Sequence, residues 1–188
     1  YPLRRQRQMC IRDSNTEIVG CIYKGVVKNI VPTVDGIFVD IGIGKNAFLR
    51  RKDLLNEKRF PTEGSPILAQ VIKSDTDMKG ALITEKISMF GKYAVTLSGT
   101  GYIGVSKKIR QESVRKRLKE IGKEICAEHM GLIIRTAAEN ADMDEFRKDI
   151  TRLKENWDII QKRFRMEKSP TLLYRDCLLY TSPSPRDA

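Results

Sequence analysis

Two phenylalanines and one arginine stand out for the chemistry their neighbours leave them to do. Phe38 lies in the run 36–41 and Phe48 in the run 46–49, both short, apolar and bounded by glycine or turn residues, as strands are. Side chains alternate faces along a strand. Ile37, Val39 and Ile41 therefore share one face, as do Ala47 and Leu49, while Phe38 falls with Asp40 and Phe48 with Asn46 and Arg50. Burying a phenylalanine is worth about 1.5–3 kcal/mol, so two rings on the polar face need a reason. Aromatics on a sheet beside lysines form a stacking surface for nucleobases, each stacked base contributing about 1–3 kcal/mol. Lys24, Lys73 and Lys79 are the candidate cations for the phosphates. The alternative is that one ring packs beneath the insert at 52–60 or against the second half of the chain.

Arg135 and Thr136 follow the apolar run Leu132-Ile133-Ile134. A guanidinium at a strand end can fork onto two oxygens of a phosphate, and a neighbouring hydroxyl adds a donor. Ala137 and Ala138 leave room for a pocket there. The alternative is a surface arginine paired with Glu139.

Other reactive groups are sparse. His129 is the single histidine, which leaves no histidine pair for proton transfer or zinc. Cys21 and Cys126 have no metal-ligand spacing. Asp142, Asp144 and Glu145 cluster at the start of a helical pattern, where capping explains them. No catalytic residue and no metal ligand is expected in the chain.

The ends are read separately. MCIRDS at 9–14 and CLLYTS at 177–182 can be encoded by one DNA element in opposite orientations. With RRQRQ before and SPSPRD after, they resemble the transposon-end adapters of sequencing libraries. Residues 1–14 and 177–188 are therefore expected to be adapter-derived tails and are left out of the fold reading. The whole chain has 35 basic and 24 acidic residues. Removing five basic and two acidic residues with the tails leaves a basic surplus of eight. Such a surplus suits a polyanionic partner, although solvated lysine-rich surfaces are common. Cys21 and Cys126 are the cysteines that remain; with no signal peptide visible, they suit a reducing cytoplasm. No apolar run reaches membrane-spanning length, so no membrane partner is expected.

The elements that must position these groups change period midway. Strand patterns at 18–31, 36–41, 46–49, 67–73 and 81–84, separated by Gly, Pro and Asp, predict a small five-stranded antiparallel barrel. Beyond it, strands are predicted at 93–97, 102–105 and 131–135, with helices at 112–125 and 143–165. In the longer helix Met143, Phe146, Ile150, Leu153, Trp157, Ile160 and Phe164 recur at spacings of three and four. That stripe predicts a face packed on a sheet, with a coiled-coil seam and a structural oligomer as the alternative. Asp142 and Glu145 predict a capping box. The class is α+β: the barrel, then a small mixed α/β unit with a long amphipathic helix.

The stretches IYKGVVKNIVP (22–32), FVDIGIGKNAFL (38–49) and KGALIT (79–84) resemble the ribonuclease E/G family, where they lie in an OB-fold RNA-binding domain of the ribosomal S1 type. SKKI (106–109) and GLIIRTAAE (131–139) resemble the five-prime sensor that follows it. The resemblance implies an RNA-binding domain at 15–87 and a sensor-like domain at 88–176. It implies single-stranded RNA as partner, with Phe38, Phe48, Lys24, Lys73, Lys79, Lys107 and Lys108 in contact with it. It implies that Gly91, Val95, Arg135 and Thr136 hold a 5′-monophosphate. For the parent protein it implies a cytoplasmic, metal-dependent endoribonuclease of RNA processing and decay, a homo-oligomer using magnesium and a structural zinc. The carboxylates of that chemistry lie further along the family's chain, so this chain is expected to bind RNA without cutting it. Three departures are visible. Gly36-Ile37 replaces two small residues, Lys107-Lys108 replaces an arginine pair, and Met89-Phe90 replaces Leu followed by Pro or Ala. A non-enzymatic OB-fold accessory protein of translation or transcription is the alternative; it shares the phenylalanine platform but has no use for Arg135 and Thr136.

Overall fold

A computed structural model describes residues 18–175 apart from 59, 77 and 127–129, so both expected tails and His129 lie outside the described residues. Among the described residues ten strands and two long helices build two sheets around two apolar cores.

The first five strands are β1 (Ile22–Val31), β2 (Gly36–Asp40), β3 (Ala47–Arg50), β4 (Pro66–Lys73) and β5 (Leu82–Thr84). They pair in the order β1-β2-β3-β5-β4, and β4 returns to β1, which closes the barrel. Alternation sends Val27, Ile37, Val39, Ala47, Leu49, Ile67, Ala69, Val71 and Ile83 inward, where all are buried. Four of the five pairings are antiparallel, as the sequence predicts. The closing pair β3–β5 is parallel, with Phe48 opposite Leu82 and Leu49 opposite Ile83. The long excursion from β3 through β4 brings β5 back in the direction of β3, which a hairpin cannot do.

The second unit carries β6 (Ser88–Phe90), β7 (Ala94–Ser98), β8 (Ile103–Val105), α1 (Glu112–Ile125), β9 (Met130–Ile134), α2 (Met143–Met166) and β10 (Thr171–Tyr174). Strands β6-β7-β9-β8 form its sheet. The periodic stripe of α2 meets this unit's core rather than a second helix of a coiled coil. Phe146, Ile150, Leu153 and Ile160 are buried there with Leu118 of α1 and Leu132 and Ile134 of β9. Each such side chain contributes about 1.5–3 kcal/mol. At the helix start Asp142 accepts from the Asp144 amide at 2.8 Å, but Glu145 does not complete a capping box. Its carboxylate is drawn instead to Tyr93, whose hydroxyl donates to it at 2.5 Å.

The two units are sewn together. Strand β10, absent from the sequence reading, pairs antiparallel with β1 as a sixth strand on the barrel sheet. Ile22 of β1 and Leu173 of β10 are buried in the second core. Gln70, buried on β4, donates to the carbonyls of Gly20 (3.1 Å) and Ser88 (2.8 Å) and accepts from the Ser88 amide (2.8 Å). A buried amide so satisfied fixes where β6 leaves the barrel.

Candidate nucleic-acid interface

The barrel register lines up one transverse row of side chains on the outer surface. Asn29 faces Phe38, Phe38 faces Phe48, Phe48 faces Leu82, and Leu82 faces Lys73. Directly opposed residues share a face, and the row is half-buried at the two rings and Leu82 and open at its ends, Asn29 and Lys73. The rings sit 5.4 Å apart, tilted by 52°. The Phe48 ring lies across Gly36, in the space any larger residue there would fill. Neither ring enters the barrel core. Leu82 and Asn29 are the members the sequence reading missed. Leu82 was legible by alternation, since Ala81 and Ile83 on either side are inward and buried.

The three barrel lysines separate. Lys73 closes the row, exposed and without a side-chain partner among the described residues. Lys79 is exposed on the turn before β5, where its backbone pairs with Thr76; the next residue, Gly80, lies against the Asn46 carbonyl just before β3. Lys24 does not join them. Its ammonium donates to the carbonyls of Phe164 (2.6 Å) and Glu167 (2.7 Å) and stands 5.0 Å from the centre of the Phe164 ring. A cation at a helix C-terminus satisfies orphan carbonyls and the helix dipole. Lys24 therefore holds the end of α2 with its ammonium, whereas Lys73 and Lys79 are exposed.

In the second unit Arg135, at the end of β9, is exposed and does not pair with Glu139. One guanidinium nitrogen donates to the Gly91 carbonyl at 2.9 Å, with the Lys92 carbonyl at 3.5 Å. Nε and the other terminal nitrogen have no partner among the described residues. That remaining edge is the one that forks onto two oxygens. The Thr136 hydroxyl lies 3.1 Å from the Ser106 hydroxyl. Each pair of hydroxyls shares one proton, so the second O–H is free to donate outward. Ser106 opens the turn that carries Lys107 and Lys108, both exposed.

Gly91 is tied into the support of Arg135. Its amide donates to the Ala94 carbonyl at 2.8 Å and its carbonyl anchors Arg135. The buried Asp149 carboxylate of α2 lies where a Cβ on Gly91 would stand and accepts from the amides of Lys92 (3.2 Å) and Tyr93 (2.9 Å). Glu145 completes the support, accepting from Tyr93 and from Lys92 at 3.2 Å. The Tyr93 hydroxyl first and the Lys92 ammonium second hold the Glu145 carboxyl below its ordinary value. Asp149 went unread in the sequence, although it is the lone acid beside Phe146 and Ile150 on the core stripe. Val95 opposes both Phe90 and Ile133, so the three make an open apolar row across β6, β7 and β9. Arg135 follows Ile133 by two residues and belongs to the same face.

Among the described residues no group of three or more His, Cys, Asp or Glu stands where it could hold a metal ion. No described helix is long and apolar enough to cross a membrane.

Comparison with known proteins finds two family matches. Residues 17–84 match the S1 RNA binding domain and residues 88–183 match the Ribonuclease E/G family. Ribonuclease G of Escherichia coli (strain K12) is 35% identical over 185 residues, covering 89% of this chain and 38% of that protein. Ribonuclease E of Synechocystis sp. is 34% identical over 181 residues, covering 91% and 27%. Ribonuclease G of Haemophilus influenzae is 36% identical over 177 residues, covering 85% and 36%. The chain thus spans roughly a quarter to two fifths of the length of these relatives.

Proposed function

Since the chain belongs to the ribonuclease E/G family, we propose that it is the RNA-recognition portion of a cytoplasmic endoribonuclease of RNA processing and decay. Residues 15–87 grip single-stranded RNA, and residues 88–176 sense a 5′-monophosphate. The observation that carries this reading is the outer-surface row Asn29, Phe38, Phe48, Leu82, Lys73 on a barrel matched as an S1 RNA binding domain. Bases lie on the two rings, and Lys73 and Lys79 meet the backbone phosphates. The terminal phosphate is taken by the free edge of Arg135 and by the hydroxyl pair of Thr136 and Ser106, with Lys107 and Lys108 adding charge nearby. The guanidinium is preorganised for this, because the Gly91 carbonyl already fixes one of its nitrogens. Hydrolysis is assigned to the parent protein, a homo-oligomer using metal-held carboxylates outside this chain. No step of that chemistry is routed through the residues described.

The test compares the affinity of the chain for one unstructured oligoribonucleotide bearing a 5′-monophosphate or a 5′-hydroxyl. Wild type is expected to prefer the monophosphate, and Arg135→Ala is expected to abolish the preference while leaving hydroxyl-ended RNA bound. A wild type with no preference refutes the sensor assignment.

A further inference from the structure

A cleft of about 390 Å³ opens between β8 and α1, lined by Tyr102, Gly104, Lys107, Lys116 and Lys119 among others. Strand β8 has a neighbour only on its β9 side among the described residues, so the cleft runs along a sheet edge. Its charge is one-sided. Lys107, Lys116 and Lys119 are exposed, and their side chains make no hydrogen bond or ion pair with described residues. The acid of the lining, Glu112, faces Arg115 at 3.8 Å. Arg115 is itself spent on structure, donating to the carbonyls of Ser106 (2.7 Å) and Ile109 (2.9 Å). That leaves three uncompensated ammonium groups around one groove.

Tyr102 supplies what a purely electrostatic groove lacks. Tyr102 is 66% exposed. Its ring crosses Gly104 closely enough that a Cβ there would meet the ring carbon at 2.7 Å. An aromatic ring laid on a strand and left open on its other side is a platform of the kind seen at Phe38 and Phe48. Its position is continuous with the Arg135 fork. Gly104 opposes Ile133, and Ile133 opposes Val95, in the row that precedes Arg135. The Ser106 hydroxyl joins Thr136 to the turn bearing Lys107.

We infer that this cleft is a second single-stranded RNA site, in which Tyr102 stacks one base and Lys107, Lys116 and Lys119 hold the adjoining phosphates. It lies outside the barrel platform and adjoins the terminal-phosphate fork through the turn that bears Lys107. A peptide strand adding to the β8 edge fits less well. Such a peptide needs apolar pockets for alternate side chains, and the helical wall here offers Glu112, Lys116 and Lys119 instead. The inference rests on the RNA-binding reading but not on recognition of the 5′ end.

The experiment measures binding of a 5′-hydroxyl, unstructured oligoribonucleotide to the full chain across a salt series. Tyr102→Ala is expected to weaken binding about tenfold, in line with loss of one stacked base, while Tyr102→Phe stays within about twofold of wild type. Lys116→Glu with Lys119→Glu is expected to weaken binding at least as much and to flatten log K against log salt by roughly 1.4, about 0.7 per lost phosphate contact. Both changes leave the monophosphate-to-hydroxyl ratio intact, whereas Arg135→Ala removes the ratio alone. All substitutions are at exposed positions, and circular dichroism checks that each variant folds. If wild type binds RNA and these variants bind it equally well with an unchanged salt slope, the cleft is not an RNA site. If wild type binds no RNA, the wider reading falls with it.

Discussion

The Asp149 carboxylate occupies the space that a side chain at Gly91 would need. That contact couples the long helix to the loop whose carbonyl anchors Arg135, because the same carboxylate caps the amides of Lys92 and Tyr93. Gly91→Ala must push the carboxylate away. Asp149→Ala strands two amides in a site where Asp149 is only 8% exposed. A buried group left unsatisfied costs about 1–3 kcal/mol. Both variants are expected to unfold at lower urea concentration, and both should lose monophosphate preference as the Gly91 carbonyl moves.

Lys24 and Lys73 should part company under mutation. Lys24→Ala removes two charge-assisted bonds to helix-end carbonyls, worth about 1.5–3 kcal/mol each by the usual measure for charged donors and less in this half-exposed setting. The expected result is a lower urea midpoint with RNA affinity unchanged. Lys73→Ala, at the open end of the aromatic row, should leave the unfolding free energy within about 0.5 kcal/mol of wild type and weaken RNA binding with a shallower salt dependence. Parallel denaturation and binding measurements separate the two.

Glu145 makes stability depend on pH with a definite sign. Its carboxyl is held below the ordinary value of 4.5 by Tyr93 and then Lys92. A carboxylate depressed in the folded state contributes stability above its unfolded value, and the contribution is lost as pH falls through the folded value. Wild type should therefore exceed Glu145→Gln in melting temperature at pH 7. The gap should persist down to about pH 4.5 and close below it. A gap that widens on acidification contradicts the assignment.

The fold was legible where one period ran unbroken. The barrel strands alternate between core and surface, and α1 begins and ends where its stripe does, at Glu112 and Ile125. What escaped was decided at a distance. Ser88–Phe90 and Thr171–Tyr174 are too short to show a period, and each is a strand only because β7 or β1 offers an open edge. Within the site, Phe38, Phe48 and Arg135 were visible because their types conflict with a bland role at their positions. The part played by Lys24 was not, since nothing in residues 22–32 tells that a helix end 140 residues away lies over it. Asp149 was hidden for the same reason, its partner loop being 57 residues distant.

The central claim is that the paired rings of Phe38 and Phe48 bear nucleobases, and fluorescence anisotropy with a short unstructured oligoribonucleotide tests it most directly. Each single alanine variant is expected to bind about tenfold more weakly than wild type, and the double variant more weakly again. A double variant that still unfolds cooperatively and binds RNA with wild-type affinity would contradict the claim.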